Sequence, residues 1–487
     1  MAVAFVGDRM SENLSKVIKD PIHGFIDFNG ERENELKLLL SNPFFQRLRR
    51  VKQLGFSDYV FPSAGHSRFA HSLGVYKIAK RMLAVVEPKG VSGKWTPKAE
   101  GCLAAALLHD VGHGMFSHAF EKAMEFFLSQ NQLDDARRAI FEEAVDHEKV
   151  SQKIIRQSSV ATSLRSFGGD DFPDLVGDLI DKADPNCIYT SIVSSQLDAD
   201  RLDYAMRDAY FAGVSSGGID LDWLLRNFRV GTNGAASFLY VDSKAYVSLE
   251  QFTVTLFHLY PTIYLHKKTR ALEYMFALLL SRAFQLIAEG DWAAAGLTGG
   301  HPFVRFFNEP DNLDHARLLD DTVFWASLYQ FREASDPTIR KMAGRLSDRQ
   351  ILPIIDIWKI ADDVAANMPS ILKLSTAERM TLFGAVCKSV AESVRADDGL
   401  WTDACYYDHY DRPIYKRKDR IGGHPQQINV KVGEAIVDVA SISPMVASAA
   451  SFNIHRIYYD DQRFQRGREL GARVRDLLKS ELAKAAG

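Results

Sequence analysis

The chain has 487 residues, of which 46% are hydrophobic and 25% charged, and its 59 basic and 62 acidic residues give a net charge of −3. This composition is typical of a soluble globular protein, and a chain of this length is expected to form two or three lobes. The near-zero charge excludes nucleic-acid binding through bulk charge, although a local basic patch can still bind.

Cysteine usage and the apolar segments indicate a reducing compartment. The four cysteines lack CxxC spacing, so neither a zinc knuckle nor a disulfide framework is indicated. Met1 to Asn13 lacks a basic-then-apolar signal pattern, and we find no apolar run of membrane-spanning length. The sequence therefore predicts a cytoplasmic protein outside the membrane.

The first half of the chain is predicted to be mainly helical. After a lead-in to about Leu14, alternation around Asp20-Pro21 predicts a short strand and turn between Val17 and Phe28. Apolar residues at helical spacing then predict helices at Pro43–Gln53, His71–Val86, Lys98–Leu108, Ser117–Ser129, Leu133–Gln157, Phe172–Asp184 and Ser191–Phe211.

The second half mixes helices with short strands. Segments between Phe228 and Val247 flank turn residues and predict a β-hairpin or small sheet. Helices are predicted over 249–289, with a kink at Pro261, and over 311–396. A strand at Ile454–Tyr459 and an amphipathic helix at Arg463–Ala485 follow. We divide the chain into a lead-in, a core, a helical lobe and a C-terminal α+β lobe, at residues 1–15, 16–290, 291–400 and 401–487.

A tyrosine-rich, basic run lies between Tyr406 and Gly423. Basic side chains beside aromatic rings can bind nucleotides or single strands. A solvated hairpin explains the same run, so nucleic acid is not assigned as a partner.

The stretch at residues 107–114, LLHDVGHG, follows an apolar, helix-forming run. Burying His109 and Asp110 there is costly without partners, because an unpaired carboxylate resists desolvation. A hydrogen-bonded core histidine, a salt bridge or a metal ion would each satisfy the pair. His113 and His118 follow closely, and three histidines and an aspartate within ten positions favour a site.

Two further residues can complete a metal centre. His71 begins an amphipathic run upstream, and Asp200 lies in an acidic segment downstream. With His109 and Asp110 they make a set of two imidazoles and two carboxylates. Such a set suits a borderline transition metal and leaves coordination positions open for water and substrate.

Six short motifs carry a resemblance to a known family: DPIHG at 20–24, FQRLR at 45–49, KQLG at 52–55, RFAHS at 68–72, HDVGHG at 109–114 and DRLDY at 200–204. The H…HD…D order resembles the HD-domain phosphohydrolases, and the motifs together resemble the deoxynucleoside triphosphate (dNTP) triphosphohydrolases. The resemblance is dense from about Lys16 to Gly213 and faint beyond about Lys268. It implies a mainly α fold, in which an HD-domain helical core carries the small β element and the α+β lobe follows.

The resemblance implies hydrolysis of a dNTP to a deoxynucleoside and inorganic triphosphate. The implied cofactor is a divalent transition metal, Mn, Fe, Zn or Ni, with Mg as a further candidate. Catalytic roles near the α-phosphate are implied for His113, His118, His147 and Glu121. Each of these histidines could instead be a structural residue of the core.

Substrate contacts are implied by the same resemblance for Gln53, Arg68, Arg201, Tyr204, Asp208 and Tyr264. Arg68 and Arg201 would bind phosphates, with Arg201 in place of the family's lysine, while the others would border the deoxyribose. Core packing is the alternative for both tyrosines, and a salt bridge is the alternative for Arg68. An ungapped count places Leu256 where the family has another phosphate-binding arginine. Lys267, Lys268 or Arg270 would then have to supply that contact.

Members of the family also bind nucleotide effectors between subunits. The matching residues are Lys16, Val17, Gln46 and Arg49 for one site and Arg229, Lys244, His266 and Lys267 for the other. Ser41 replaces the family's guanine-reading aspartate, and its hydroxyl cannot accept from both N1–H and N2–H as a carboxylate does. We therefore expect an allosteric homo-oligomer, a dimer or tetramer, whose effector base need not be guanine.

Two other functions stay open. One is HD-family hydrolysis of another nucleotide, such as a monophosphate or a cyclic or dinucleotide messenger, or of single-stranded nucleic acid. The other is a nucleotide-sensing regulatory subunit. Released triphosphate would identify the dNTP reaction, whereas a thermal shift with dNTPs but without turnover would indicate a sensor. A role in antiviral or antiphage defence is an association only.

Overall fold

The computed structural model describes residues 17–88, 94–131, 133–215, 218–234, 236–397, 405–412, 415, 423–447, 452–460 and 464–486. The protein is mainly α, 64% helical with small sheets, as the sequence predicts. Half of the tyrosine-rich, basic run, including its basic segment 416–420, lies outside the described residues, as does Lys16.

The described part of the chain begins with an antiparallel hairpin at the predicted place, formed by β1 (Val17–Asp20) and β2 (Gly24–Asp27). The helices that follow are α1 (Glu31–Leu36), α2 (Pro43–Arg47), α3 (Arg68–Val86), α4 (Pro97–Leu108), α5 (His118–Gln130), α6 (Asp135–Val145), α7 (His147–Gln157), α8 (Ser159–Gly168), α9 (Phe172–Asp181), α10 (Ile188–Val193), α11 (Ala199–Ala212) and α12 (Leu221–Arg226).

The remaining elements combine helices with seven further strands among the described residues. They are β3 (Phe228–Asn233), β4 (Ala236–Asp242), α13 (Tyr246–Leu259), α14 (Lys267–Ala288), α15 (Pro302–Asn308), α16 (Leu313–Arg317), α17 (Asp321–Arg332), α18 (Pro337–Ser347), β5 (Ile354–Asp356), α19 (Ile357–Ala365), α20 (Pro369–Leu372), α21 (Thr376–Arg395), β6 (Cys405–Arg412), β7 (Asn429–Val432), β8 (Ala435–Asp438), α22 (Pro444–Ala447), β9 (Phe452–Tyr459) and α23 (Phe464–Ala486).

Two predicted helices are divided by capping aspartates. Asp146 ends the predicted helix Leu133–Gln157 in its middle and starts α7, because its carboxylate accepts hydrogen bonds from the backbone N–H groups of Glu148 and Lys149. Asp198 likewise starts α11, where it accepts from the N–H of Arg201. The caps lie one and two residues before the site residues His147 and Asp200, so they fix the start of the helical turns that carry those side chains.

The other departures from the predicted helices are local. The helix predicted to reach Gln53 ends at Arg47 and continues as a single 3-10 turn. The kink predicted at Pro261 is a π-helical turn, Tyr260–Tyr264, that separates α13 from α14. Several described elements lack a counterpart among the predicted ones, among them the helices α8, α12 and α15 and the strand β5.

The predicted hairpin β3–β4 is part of a larger sheet. Its strand order is β3-β4-β7-β8, and β4 pairs with β7 in parallel although about 190 residues separate them. A second sheet has the order β5-β9-β6. The first hydrophobic core is built from residues between 26 and 263 together with residues 428–446. A second core draws on α5, α14 and the helices to α18, and a third on α19, α21, β9 and α23.

Helix α14 corrects one expectation drawn from the sequence. By length and composition it is apolar enough to cross a membrane, although no such run was expected. However, 72% of its most apolar window is buried inside the protein, where it packs against α5 and α18. This burial is the pattern of a core helix.

Candidate active site

Three helices bring the predicted metal ligands together. His71 lies in the first turn of α3, which Ser67 caps, and Asp200 lies in the first turn of α11. His109 and Asp110 directly follow α4, whose apolar run is completely buried. Because α3 packs against both α4 and α11, four side chains that are distant in sequence converge.

Ligand atoms of His71, His109 and Asp110 all lie within 4.8 Å of one another, and Asp200 lies at the edge of this group. His71 Nε2 lies 3.0 Å from Asp200 Oδ1 and 3.6 Å from Asp110 Oδ2. His109 Nε2 lies 3.4 Å from Asp110 Oδ1 and 3.8 Å from Asp200 Oδ1. The carboxylate of Asp200 is 34% exposed, so the centre opens to solvent on that side.

The state of His109 fits metal binding. Its Nδ1 lies 3.0 Å from the carbonyl oxygen of Ala106, so Nδ1 carries the proton and donates it. Its Nε2 is buried and has no hydrogen-bond partner among the described residues. The Nε2 lone pair is therefore available to an ion, and two imidazoles with two carboxylates could hold a divalent transition metal.

Behind His71 lies a buried ionic network. Asp203 Oδ2 lies 2.7 Å from His71 Nδ1, and the other Asp203 oxygen lies 2.5 Å from His23 Nε2. Arg207 pairs with Asp203 at 2.8 Å and with Asp20 at 2.9 Å. Burial alone would raise the pKa of Asp203, but Arg207 and the two histidines lower it well below its usual range. A charged Asp203 orients His71 so that Nε2 faces Asp110 and Asp200, with which it would hold a metal.

A glycine makes room for this network. A Cβ at Gly74 would lie 1.9 Å from Asp203 Oδ1 and 2.6 Å from Arg207 Nη2. Any side chain there would displace the buried pair. His23, Asp203 and Gly74 were not singled out from the sequence as site residues, although His23 and Asp203 lie inside the family motifs.

Arg68 connects the metal ligands to a strained turn. Its guanidinium pairs with the Asp110 carboxylate, and its Nε donates to Ser117 Oγ at 2.6 Å. Ser117 Oγ in turn donates to the carbonyl of Lys52 at 2.7 Å. Phe116 and Ser117 both have positive φ, 53° and 59°, in the left-handed region that costs non-glycine residues energy. The turn between the HD motif and α5 is thus held by specific contacts.

A second cluster contains the three other predicted catalytic histidines. The rings of His113 and His147 stack at 3.8 Å, and the His118 ring lies 4.8 Å and 5.1 Å from them. Glu121 joins the cluster, because its carboxylate accepts from Nδ1 of His118 at 2.8 Å and also hydrogen-bonds Nδ1 of His147. A Cβ at Gly112 would lie 2.3 Å from the carbonyl oxygen of His147, so glycine permits α7 to pack against this loop.

The charges in this cluster are set by Glu121. Burial would raise the pKa of Glu121, but the hydrogen bonds from His118 and His147 lower it far below its usual range. Burial disfavours the charged form of His147, yet its hydrogen bond to Glu121 raises the pKa overall. The pKa of His113 is well below its usual range because of burial and the nearby positive charges of Arg68 and His147. His113 is therefore neutral, whereas Glu121 favours a proton on His147.

The residues predicted to border the sugar form a polar cluster with one unforeseen member. Asp208 Oδ2 accepts from the Tyr264 hydroxyl at 2.7 Å, and Asp208 Oδ1 lies 2.8 Å from His66 Nε2. The rings of Tyr204 and Tyr264 meet edge to face at 6.3 Å. The backbone N–H of Gln53 donates to the carbonyl of His66 at 3.0 Å. His66 was not assigned a role from the sequence, although it directly precedes the motif of Arg68.

Two buried polar atoms of these side chains have no hydrogen-bond partner within the described part of the chain. They are Gln53 Oε1 and His66 Nδ1. Buried polar atoms normally find partners, so each is available to a polar ligand.

The phosphate contacts predicted from the resemblance are only partly available. Arg201 is near Asp198, 3.8 Å away, and is one-third exposed. Leu256 is buried in the first core. Arg270 is in ion pairs with Glu273 and Asp408, so it is already neutralised. Lys267 and Lys268 are exposed, and their part in phosphate binding stays a prediction.

The residues matched to effector sites are mostly on the surface. Val17 is exposed, and the guanidinium of Arg49 lies over the Phe69 ring at 3.6 Å while hydrogen-bonding Gln46. Arg229, Lys244 and Lys267 are exposed, and His266, which caps α14, is half-buried. These positions are consistent with subunit contacts, but their role stays a prediction.

Comparison with known proteins identifies the family. A family model for the HD domain matches residues 68–205, the segment that contains all four candidate metal ligands. An uncharacterized Bacillus subtilis protein, YwfO, is 32% identical over 357 residues, which cover 73% of this chain and 74% of YwfO. The deoxynucleoside triphosphate triphosphohydrolase SAMHD1 homolog of Dictyostelium discoideum is 30% identical over 290 residues, 58% of this chain. The chain therefore contains an HD domain and belongs to the same family as YwfO.

Relatives within this HD-domain family differ in how much they share with the chain. The match covers 52% of the D. discoideum protein, and the Bos taurus SAMHD1 is 44% identical over 111 residues, 23% of this chain and 18% of that protein. The chain thus spans about half or less of these SAMHD1 relatives.

Solved structures share the fold over nearly the whole chain. A phosphohydrolase from Bacteroides thetaiotaomicron has a TM-score of 0.66, covering 92% of this chain and 100% of that one. A hypothetical protein from Aquifex aeolicus has a TM-score of 0.63, covering 96% and 100%. Both are 24% identical to the chain, so they show the fold alone.

Proposed function

We propose that the protein is a metal-dependent dNTP triphosphohydrolase that releases a deoxynucleoside and inorganic triphosphate. One observation carries the proposal: Asp110 Oδ1 lies 3.4 Å from His109 Nε2 and 3.4 Å from His113 Nε2. The candidate metal ligands are therefore adjacent to the cluster of histidines that could transfer a proton. The SAMHD1 relatives, named as dNTP triphosphohydrolases, support the choice of substrate.

The site residues would divide the work as follows. His71, His109, Asp110 and Asp200 would hold the metal, which supplies Lewis-acid polarisation of phosphoryl oxygen and a more acidic water. Arg68 is paired with Asp110 and only 4% exposed, so it would bind phosphate oxygens through the guanidinium N–H groups that these contacts leave over. His147, protonated with the help of Glu121, would give its proton to the leaving 5′ oxygen, and His118 shares the same carboxylate.

The sugar would bind beside the polar cluster around Asp208. Asp208, held between His66 and Tyr264, can accept a hydrogen bond from a sugar hydroxyl. Gln53 Oε1 and His66 Nδ1, which have no hydrogen-bond partner among the described residues, would contact other polar atoms of the ligand. Tyr204 and Tyr264 would exclude a 2′-hydroxyl by occupying its place, which favours deoxyribose over ribose.

Product analysis tests the proposal. We expect the purified protein, with Mn²⁺ or Mg²⁺, to convert dNTPs to deoxynucleoside and triphosphate, while ribonucleotides are spared. Chromatography of reactions with the four dNTPs, the four rNTPs and mixtures resolves these products. Release of monophosphate or orthophosphate instead would identify a different phosphohydrolase.

The histidine cluster has its own test. Replacing His118 or His147 by Ala should lower turnover by roughly 10²–10⁴, the usual contribution of a general acid or base, while the metal stays bound. Steady-state kinetics with metal analysis measures both. Activity within a few-fold of the unmodified protein would reduce both residues to packing roles.

One observation favours a second candidate, an HD phosphohydrolase acting on another nucleotide. The buried Leu256 offers no charge where the family has a phosphate-binding arginine. A substrate with fewer phosphates needs fewer cations. Exchange of Lys267 and Lys268 for Ala separates the two, since only triphosphate binding should weaken.

We further propose that the protein acts in the cytoplasm as a homo-oligomer regulated by nucleotides. Exposed basic residues at Arg49, Arg229, Lys244 and Lys267 come from segments distant in sequence, as an anionic effector between subunits would require. The four-part division of the chain at residues 15, 290 and 400 is likewise a proposal.

A further inference from the structure

The histidine cluster beside the metal centre has the composition of a second metal site. It offers three imidazoles and one carboxylate, from His113, His118, His147 and Glu121. One ligand atom from each lies within 4.8 Å of every other. The members come from the turn after α4, from α5 and from α7, so the backbone already holds them together.

The donor set differs in kind from the first one. Three nitrogens and one oxygen match the tetrahedral sites that Zn²⁺ prefers, with Zn–N distances of about 2.0–2.1 Å. The first set, with two carboxylates and open positions, suits a catalytic ion. The two sets therefore favour different coordination.

Access and burial also suit an ion that arrives from solvent. The His113 side chain is only 1% exposed, whereas the His118 side chain is 58% exposed. Turning His118 inward would close the site over an ion. Glu121 hydrogen-bonds both His118 and His147, and an ion bound between these side chains would replace those hydrogen-bonding protons.

We propose that His113, His118, Glu121 and His147 bind a zinc ion, separate from the catalytic metal, and that this zinc inhibits the enzyme. The inhibitory half rests on the proposed function, because it assumes that the same histidines move a proton in the reaction. The zinc site itself does not depend on that function.

Inhibition follows from the chemistry of coordination. A metal binds the unprotonated imidazole, so zinc displaces the proton held between Glu121 and His147. Four protein ligands complete a tetrahedron and leave no position for substrate. Since a general acid contributes roughly 10²–10⁴ to rate, saturating zinc should reduce turnover by roughly 10² or more.

The experiment counts metals in four proteins. Four proteins are compared: the unmodified chain, Asp200→Ala, His118→Ala and the control His258→Ala. Each is loaded with Mn²⁺, exposed to Zn²⁺ and dialysed, and its metal content is then measured by mass spectrometry. Asp200→Ala weakens the first site only, and His258 is an exposed histidine outside both clusters. Zinc X-ray absorption then reports the ligands.

We expect a second metal ion per chain in the unmodified protein and in His258→Ala, and its loss in His118→Ala. Asp200→Ala should keep zinc in an environment of three imidazoles and one carboxylate. A single metal per chain, or zinc that merely replaces Mn²⁺ at the first site, would overturn the proposal. If zinc binds as expected but no dNTP is hydrolysed, the proposed function fails while the zinc site stands.

Discussion

Asp110 is the residue on which the candidate site depends most. Its Oδ1 lies 3.4 Å from His109 Nε2 and from His113 Nε2, and Oδ2 pairs with Arg68. Burial alone would raise the pKa of Asp110, but Arg68, His109 and His113 lower it well below its usual range. The carboxylate is therefore charged and serves both clusters at once.

Removing that charge should remove the metal. We expect Asp110→Asn to lose the bound divalent ion, because an amide is a weaker metal ligand, while its similar shape retains the fold. Metal analysis and circular dichroism measure the two effects. Glu143→Gln is the control, since Glu143 is a half-exposed carboxylate paired with Lys153. Full metal occupancy in Asp110→Asn would refute the assignment.

The charge of Glu121 should appear in the pH profile. Its hydrogen bond raises the pKa of His147, so the protonated form, the acid in our mechanism, persists to higher pH and is lost as pH rises through that pKa. In Glu121→Gln the raising interaction weakens, and the alkaline limb of kcat should move to lower pH. Rates across a pH series measure it, with Glu143→Gln again as control. An unmoved limb would exclude His147 as the acid.

At the scale of single residues, the sequence predicts the candidate metal ligands better than the residues that hold them in place. His71, His109, Asp110 and Asp200 could be selected because their spacing matches a family motif and the structure does bring them together. His66 and the contact between His23 and Asp203 could not be predicted, since the partners are 142 and 180 positions apart. Only the fold reveals such pairs.

Among the elements, the start of α17 has the clearest influence on the site. Asp321 accepts from the backbone N–H of Phe116 at 2.7 Å and of Lys52 at 3.0 Å. Lys52 also accepts a hydrogen bond from Ser117 through its carbonyl, and Ser117, which follows Phe116, accepts one from Arg68. A helix outside the HD match thus positions the turn before His118. Nothing in the local sequence around Asp321 indicates this contact.

Weakening that contact should slow the reaction without releasing the metal. Asp321→Asn retains one acceptor oxygen but turns its amide N–H₂ towards the other backbone N–H donor. Either the segment at Lys52 or the turn at Phe116 must therefore move. A displacement of about 1 Å can cost roughly 10² in rate. We expect kcat to fall by that order at normal metal content. Asp314→Asn, an exposed aspartate in α16, is the control. Equal loss of metal and rate would indicate general destabilisation instead.

Helix boundaries near the site follow from local chemistry that the sequence does contain. Apolar periodicity runs through Asp146 and Asp198, and both predicted helices therefore extended across them. The capping hydrogen bonds of these aspartates end that continuity. A search for caps inside long periodic segments would have found both breaks.

For the whole molecule, the open question of regulation can be tested through assembly. Binding of a nucleotide effector at a subunit contact and oligomer formation should favour each other. Because the exposed Ser41 replaces a guanine-reading acid, we expect a deoxynucleotide with another base, such as thymine, to activate at least as well as GTP or dGTP. Initial rates on one dNTP with each other nucleotide added, alongside sedimentation, measure this.

Charge-removing variants sharpen that experiment. Arg229→Ala with Lys244→Ala should abolish both activation and nucleotide-dependent assembly, while Lys479→Ala, on the exposed side of α23, should change neither. Hyperbolic kinetics and constant mass with every nucleotide would rule out this regulation. A strict requirement for GTP would show that Ser41 does not decide the base.

The architecture as a whole is predicted in class but not in connectivity. Helical periodicity is enough to identify a mainly α protein, and the hairpin β3–β4 carries its own turn signal. No local sequence signal indicates that β7 and β8 join that hairpin. The parallel pairing of β4 with β7 depends on the path of the 186 residues between them, 243–428. Long-range pairing of this kind is set by the completed fold.

The parallel pairing of β4 with β7 has a consequence for synthesis on the ribosome. Tyr240 emerges roughly 190 residues before Asn429, its partner, a delay on the order of 10–40 s at 5–20 residues per second. Throughout that interval the nascent chain presents an unpaired strand edge beside an incomplete first core. Translation arrested before residue 429 would leave an aggregation-prone product, even though every candidate metal ligand had already been made.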